Sequence, residues 1–135
     1  MICFKNNILI LLFSVIAFAS SGQSTENLVR QGNSLYNSGK YKDAEASYKK
    51  SLEKDSTSVK GKFNMADAIY KQGNYTEAAK TFQSLLESSK LDKDTKAKIY
   101  HNLGNALLQS KKYPESIEAY KNALRNSPDD KDTKY

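Results

Sequence analysis

The chain has 135 residues, 39% of them hydrophobic and 27% charged, with a formal net charge of +6. That length fits one domain, and the composition is globular apart from one segment at the start. With one cysteine and one histidine, it cannot build an intrachain disulfide or a Cys/His metal cluster.

The opening segment places Lys5 ahead of an apolar run from Ile8 to Ala19, broken only by Ser14 and followed by Ser20, Ser21 and Gly22. A twelve-residue apolar core behind a positive charge reads as a secretory leader over residues 1–22. A spanning helix needs about 20 apolar residues, so the mature chain is expected to be exported and not to span a membrane. Ala17 and Ala19 offer one cleavage pattern, and a cut before Gln23 is the other. Cys3 lies ahead of the apolar core, where a lipid-acceptor cysteine would not be, so the mature chain has no thiol. Removing Lys5 leaves 20 basic against 15 acidic residues, a net +5. The lysines are interspersed with acids, as on a solvated helical surface. Only Arg30 and Arg125 could supply a guanidinium fork, so nucleic acid is not an expected partner.

From residue 25 onward the chain repeats itself. Gly32 to Ala44 aligns with Ala66 to Ala78 at a spacing of 34, and Gly104 to Ser116 follows 38 residues later. Each copy holds two amphipathic helical patterns around a turn. The first carries Leu28, Gly32 and Leu35, then Gly39, then Ala44, Tyr48 and Leu52. The second carries Phe63, Ala66 and Ile69, then Gly73, then Ala78, Phe82 and Leu86. The third carries Tyr100, Leu103, Gly104 and Leu107, then Ser116, Tyr120 and Leu124. Small residues face large aromatics one turn on, which lets paired helices approach closely. Lys111 stands at the turn position held by Gly39 and Gly73, and costs about 1 kcal/mol if it keeps a left-handed conformation. The four residues inserted before copy three, 93–96, make either a loop or one extra helical turn with Asp92 or Asp94 as its N-cap.

These residues resemble the tetratricopeptide repeat, whose signature runs Trp-x2-Leu-Gly-x2-Tyr, Ala-x3-Phe, Pro. Tyr100, Leu103, Gly104, Leu107, Ser116, Tyr120 and Pro128 carry the resemblance best. Gln31 departs from the usual leucine, and Ser56 and Lys90 from the closing proline. The resemblance implies an all-α, right-handed superhelical α-solenoid. Its repeats would span 25–58, 59–92 and 97–130, with a capping helix beginning at 131–135. The cap stops short at Tyr135, so the chain is expected to be truncated. The face around Leu107, Ile117, Tyr120 and Leu124 would then be open to self-association.

No catalytic motif is present: there is no Gly-rich phosphate loop, no G-x-S-x-G and no paired acids in an apolar setting. Neither an enzyme activity nor a cofactor is expected. Glu77 and Glu115 read as favourable charges in a first helical turn, and the sequon Asn74-Tyr75-Thr76 as coincidental. The repeat geometry implies a concave face lined by Val29, Asn33 and Tyr36; Phe63, Asn64, Asp67, Tyr70 and Lys71; and Lys98, His101, Asn102, Asn105 and Gln109. Amides and rigid phenol rings there suit protein or peptide partners, although Tyr36 and Tyr70 also have the character of packing residues. Asn33, Asn64 and Lys98 match the five-residue clamp by which some relatives hold a chaperone's terminal carboxylates. Val29 and Asn102 stand where that clamp has cations, which removes most of its charge complementarity. From Ala97 to Tyr135 the wording of the repeat is similar to BatC-type proteins of the Bacteroidetes Bat aerotolerance operon. That resemblance implies a scaffold in the periplasm or cell envelope, beside membrane proteins with von Willebrand A domains.

Overall fold

In a computed structural model, residues 22–88, 90–127 and 129 are described; the leader up to Ser21, Pro128 and the start of a capping helix at 131–135 lie outside them. Six helices follow in order: α1 (Thr25–Asn37), α2 (Tyr41–Lys54), α3 (Val59–Lys71), α4 (Tyr75–Ser88), α5 (Lys93–Gln109) and α6 (Tyr113–Asn126). Among the described residues there is no strand, and the fold is an all-α helical repeat.

Each first helix of a pair starts on a side-chain cap. Ser24 accepts from the amide of Asn27 at 3.2 Å, Ser58 from Gly61 at 3.0 Å and Asp92 from Thr95 at 2.8 Å. Each cap satisfies one amide that the first turn of a helix leaves without a partner. The four inserted residues form the first turn of α5, which has 17 residues where α1 and α3 have 13.

The turns inside the pairs share one geometry. The amide of Lys40 donates to the carbonyl of Leu35 at 2.9 Å, Asn74 to Ile69 at 3.3 Å and Lys112 to Leu107 at 2.9 Å. One residue earlier, Gly39, Gly73 and Lys111 donate to Tyr36, Tyr70 and Leu108. This is the Schellman closure, and it needs a left-handed residue at its centre. Gly39 and Gly73 adopt φ values of 74° and 81°, and Lys111 follows them at 62°.

The helices stack by exchanging small and large residues. Ala44, Ala78 and Ser116 are buried in the outer helices. On the inner helices, a Cβ at Gly32 would lie 2.4 Å from the Tyr48 ring, and one at Gly104 would lie 2.6 Å from the Tyr120 ring. Ser116 fills its place without an orphaned hydroxyl by donating to the Gly104 carbonyl at 2.9 Å. Every helix packs on the next in sequence; the backbones of α1 and α3, and of α3 and α5, also approach closely, whereas those of α2, α4 and α6 stay further apart. The first helices therefore form the inner layer of a curved stack, and the second helices its outer layer.

Burial is unequal along the stack. A cluster including Ile69, Phe82, Leu85, Ile99 and Leu103 joins the second and third pairs. In the first pair a smaller cluster joins Val29, Ala44 and Tyr48 to Ala68 of its neighbour, Leu28 is also buried on α1, and the buried inner side of α2 carries Ser47 and Ser51. The three ion pairs among the described residues are all exposed and contribute little.

Candidate binding groove

The inner helices α1, α3 and α5 bring polar side chains from successive repeats into contact. The Tyr36 hydroxyl on α1 donates to Asp67 Oδ2 on α3 at 2.6 Å. Asn64 Nδ2 on α3 donates to Asn33 Oδ1 on α1 at 3.0 Å, and the Tyr48 hydroxyl, reaching through from α2, donates to the same oxygen at 2.7 Å. Together with Asn37 these side chains line a hollow of about 280 Å³. Burial pushes the hydroxyls of Tyr36 and Tyr48 above the usual phenol range; the carboxylate of Asp67 adds to both, for Tyr36 also by accepting its hydrogen bond.

A second hollow, of about 500 Å³, opens one repeat further along. Phe63, Asp94, Ala97, Lys98, His101, Asn102, Ser127 and Asp129 line it. Phe63 stands edge-on to Phe82 with 5.5 Å between ring centroids, and His101 stands in the same way on Tyr120 at 5.8 Å. Deeper in, the Tyr120 hydroxyl donates to Asn105 Oδ1 at 2.6 Å, repeating the contact between Tyr48 and Asn33. Tyr70 packs edge-on against Tyr75 at 5.2 Å, as Tyr36 does against Tyr41. Burial is the main cause that raises the Tyr70 hydroxyl, and a hydrogen bond with the Gln109 side chain works against it. Lys71 and Gln109 are exposed.

Apart from Lys71 and Val29, the groove residues named from sequence thus line a hollow or join these contacts, and Lys71 stands beside them on α3. Val29 is a correction. It is 9% exposed and belongs to the apolar cluster of the first pair, because a β-branched aliphatic side chain at that place gains more by covering Tyr48 and Ala44 than by facing water. Tyr36 and Tyr70 combine both of their expected characters, since each packs its ring on the outer helix and presents its hydroxyl to the inner face. Sequence reasoning missed Asn37, Asp94, Ser127, Asp129 and, above all, Tyr48. A signal for Tyr48 was present. Tyr48 and Tyr120 each follow an asparagine by 15 residues, whereas Phe82, without a hydroxyl, follows Asp67 at that spacing.

With this geometry in hand, comparison with protein families gives matches to the tetratricopeptide repeat over residues 25–58 and again over 56–129. The chain belongs to the tetratricopeptide-repeat family. Among solved structures it is similar to the first such domain of human RPAP3, with a TM-score of 0.72 and 21% identity over 82% of this chain and 84% of that one. It is also similar to the first such domain of Spaghetti (RPAP3) bound to the HSP90 peptide SRMEEVD, with a TM-score of 0.71 and 23% identity over 83% and 86% of the two chains. MamA from Desulfovibrio magneticus gives 0.72 and 22% identity, with 82% of this chain covering 60% of that one. A comparison with curated proteins finds no match. Among the described residues, no group of three or more His, Cys, Asp or Glu side chains could hold a metal ion, and no helix is long and apolar enough to cross a membrane.

Proposed function

We propose that this tetratricopeptide-repeat chain is a non-catalytic scaffold that binds a protein or peptide segment along its inner face. One observation carries the reading. The amide oxygens of Asn33 and Asn105 accept from the Tyr48 and Tyr120 hydroxyls behind them, and Asn64 donates to Asn33, which orients the remaining donors and acceptors of the three amides before any ligand arrives. Preorganised amides can pair with the backbone of an extended segment at small entropic cost. The related Spaghetti domain, solved with a peptide, supports the same use of the fold. The leader-like residues 1–22 and the BatC-like wording of the third repeat support placement in the bacterial envelope. Membrane proteins with von Willebrand A domains are the proposed partners there. The test is crosslinking in the native envelope with wild-type chain and with the double variant Tyr70→Ala, Asn105→Ala. Loss of the captured partner with helicity unchanged supports the reading; equal recovery from both overturns it.

A second reading, self-association through the end of the stack, has its own observation. Leu108 is 44% exposed, and Tyr113 and Ile117 are each 54% exposed. All three belong to the third repeat, and the counterparts of Leu108 and Ile117 in earlier repeats meet the following pair: Tyr36 reaches Asp67, Glu45 accepts from Gln72, and Ala79 is buried in the cluster that includes Leu103. Light scattering on wild type and Ile117→Glu decides it. Association that the substitution abolishes supports this reading, and a wild-type monomer at every concentration ends it.

A further inference from the structure

Among the described residues, the first hollow holds a carboxylate with no cation in its lining. Asp67 occupies on α3 the place that Asn33 has on α1 and Asn105 on α5. Those two asparagine oxygens are taken by the hydroxyls of Tyr48 and Tyr120. The residue behind Asp67 is Phe82, which has no hydroxyl to give, so the carboxylate draws on Tyr36 instead. A single hydroxyl leaves most of the acceptor capacity of an ionised carboxylate unused. Among the described residues the ion pairs are Arg30 with Glu26, Lys80 with Glu77 and Arg125 with Glu118, and none involves Asp67. The other residues of the hollow, Asn33, Tyr36, Asn37, Tyr48 and Asn64, are neutral.

A half-buried carboxylate among neutral amides and phenols is complementary to an ammonium or guanidinium group, which would complete its hydrogen bonds and its charge. We propose that the first hollow receives a lysine or arginine side chain of the bound segment. The inference rests on the groove reading above and adds the sign of the ligand's charge. That sign is opposite to the one that suits the acidic tail of SRMEEVD, the peptide in the Spaghetti complex. It agrees with the loss of two clamp cations, since Val29 is buried and aliphatic and Asn102 is neutral.

The neighbouring hollow sets a second requirement on the bound segment. Asn64 lines the first hollow and Phe63, the adjacent residue on α3, lines the second. The two hollows flank α3 and are separated by one inter-helix step, about 8–10 Å. An extended chain advances about 3.3 Å per residue, so a basic side chain in the first hollow places the residue about three positions away against the Phe63 ring. The favoured segment is extended, with a basic and an apolar residue about three apart.

Two capped heptapeptides test this, Ser-Lys-Ser-Ser-Leu-Ser-Ser and the same sequence with Glu for Lys. Each is titrated into isotope-labelled protein at low salt while the backbone amide resonances of α1, α3 and α5 are followed by NMR. The lysine peptide is expected to bind about tenfold tighter, the factor that 1.4 kcal/mol gives. Asp67→Asn should erase the gap while keeping an acceptor for Tyr36, and Asp67→Lys should reverse it. Tighter binding of the glutamate peptide, equal binding of both, or a lysine preference that survives in Asp67→Asn would overturn the charge assignment and leave the groove reading intact. If neither peptide moves those resonances, the groove reading falls and this inference falls with it.

Discussion

Single side chains set both the local strain of this molecule and the polarity of its groove. Lys111 holds a left-handed backbone that Gly39 and Gly73 hold without cost, and a Cβ at either glycine would meet nothing within 4 Å. The difference is therefore conformational rather than steric with neighbours. Lys111→Gly should stabilise the chain by about 1 kcal/mol in urea denaturation, and Gly73→Ala should destabilise it by a similar amount. Tyr36 offers a second measurement. Burial and then Asp67 keep its hydroxyl protonated beyond the ordinary value of 10.0. Tyr48, Tyr70 and Tyr120 are also raised, chiefly by burial. A raised folded-state value means that the unfolded chain ionises first. The stabilisation is complete below pH 10, and it is lost as pH rises from there through the folded-state values. Ultraviolet titration should show Tyr36 ionising late, and Asp67→Asn should bring its transition to lower pH by removing the adjacent charge.

Helices in this chain begin and end where capping chemistry puts them, and the third pair shows how an insertion is absorbed. Four extra residues ahead of α5 continue its helix by one turn, because Asp92 supplies a cap at the new start through both its Thr95 contacts. Those contacts also hold the Asp92 carboxyl below the usual carboxylate range. Asp92→Ala should speed hydrogen exchange at the Thr95 amide and leave the middle of α5 protected; an unchanged rate would mean that the turn does not depend on its cap. Pair packing is less forgiving. Gly104→Ala should destabilise by about 1–3 kcal/mol in chemical denaturation, since the added methyl meets the Tyr120 ring and that ring is also tied to Asn105.

Over the whole stack, stability should fall toward the first repeat. Its place for Leu85 is held by Ser51, and Ser47 is buried on the same helix, so the interface of α1 with α2 has less apolar surface than the later ones. In a nearly one-dimensional array such a unit opens first. Hydrogen exchange is expected to be faster throughout α1 and α2 than through α3 to α5, and equal protection would contradict this. The repeat, its turns, the small-to-large packing and many of the inner-face positions were legible in the sequence, because each depends on spacing along one helix or one hairpin. Periodicity alone could not place Val29, whose burial depends on packing between helices, nor choose between a loop and a turn at 93–96. Tyr48 looked like a core aromatic, and the residue is indeed buried at 2% exposure, but its hydroxyl reaches Asn33 at the groove. The sequence by itself determined a 34-residue helical hairpin repeated three times, since local patterning dictates it. Only the tertiary structure decided that, among the described residues, Asp67 faces a neutral hollow with a single hydroxyl for a partner. That arrangement exists only where two repeats meet, and side chains 31 residues apart come into contact.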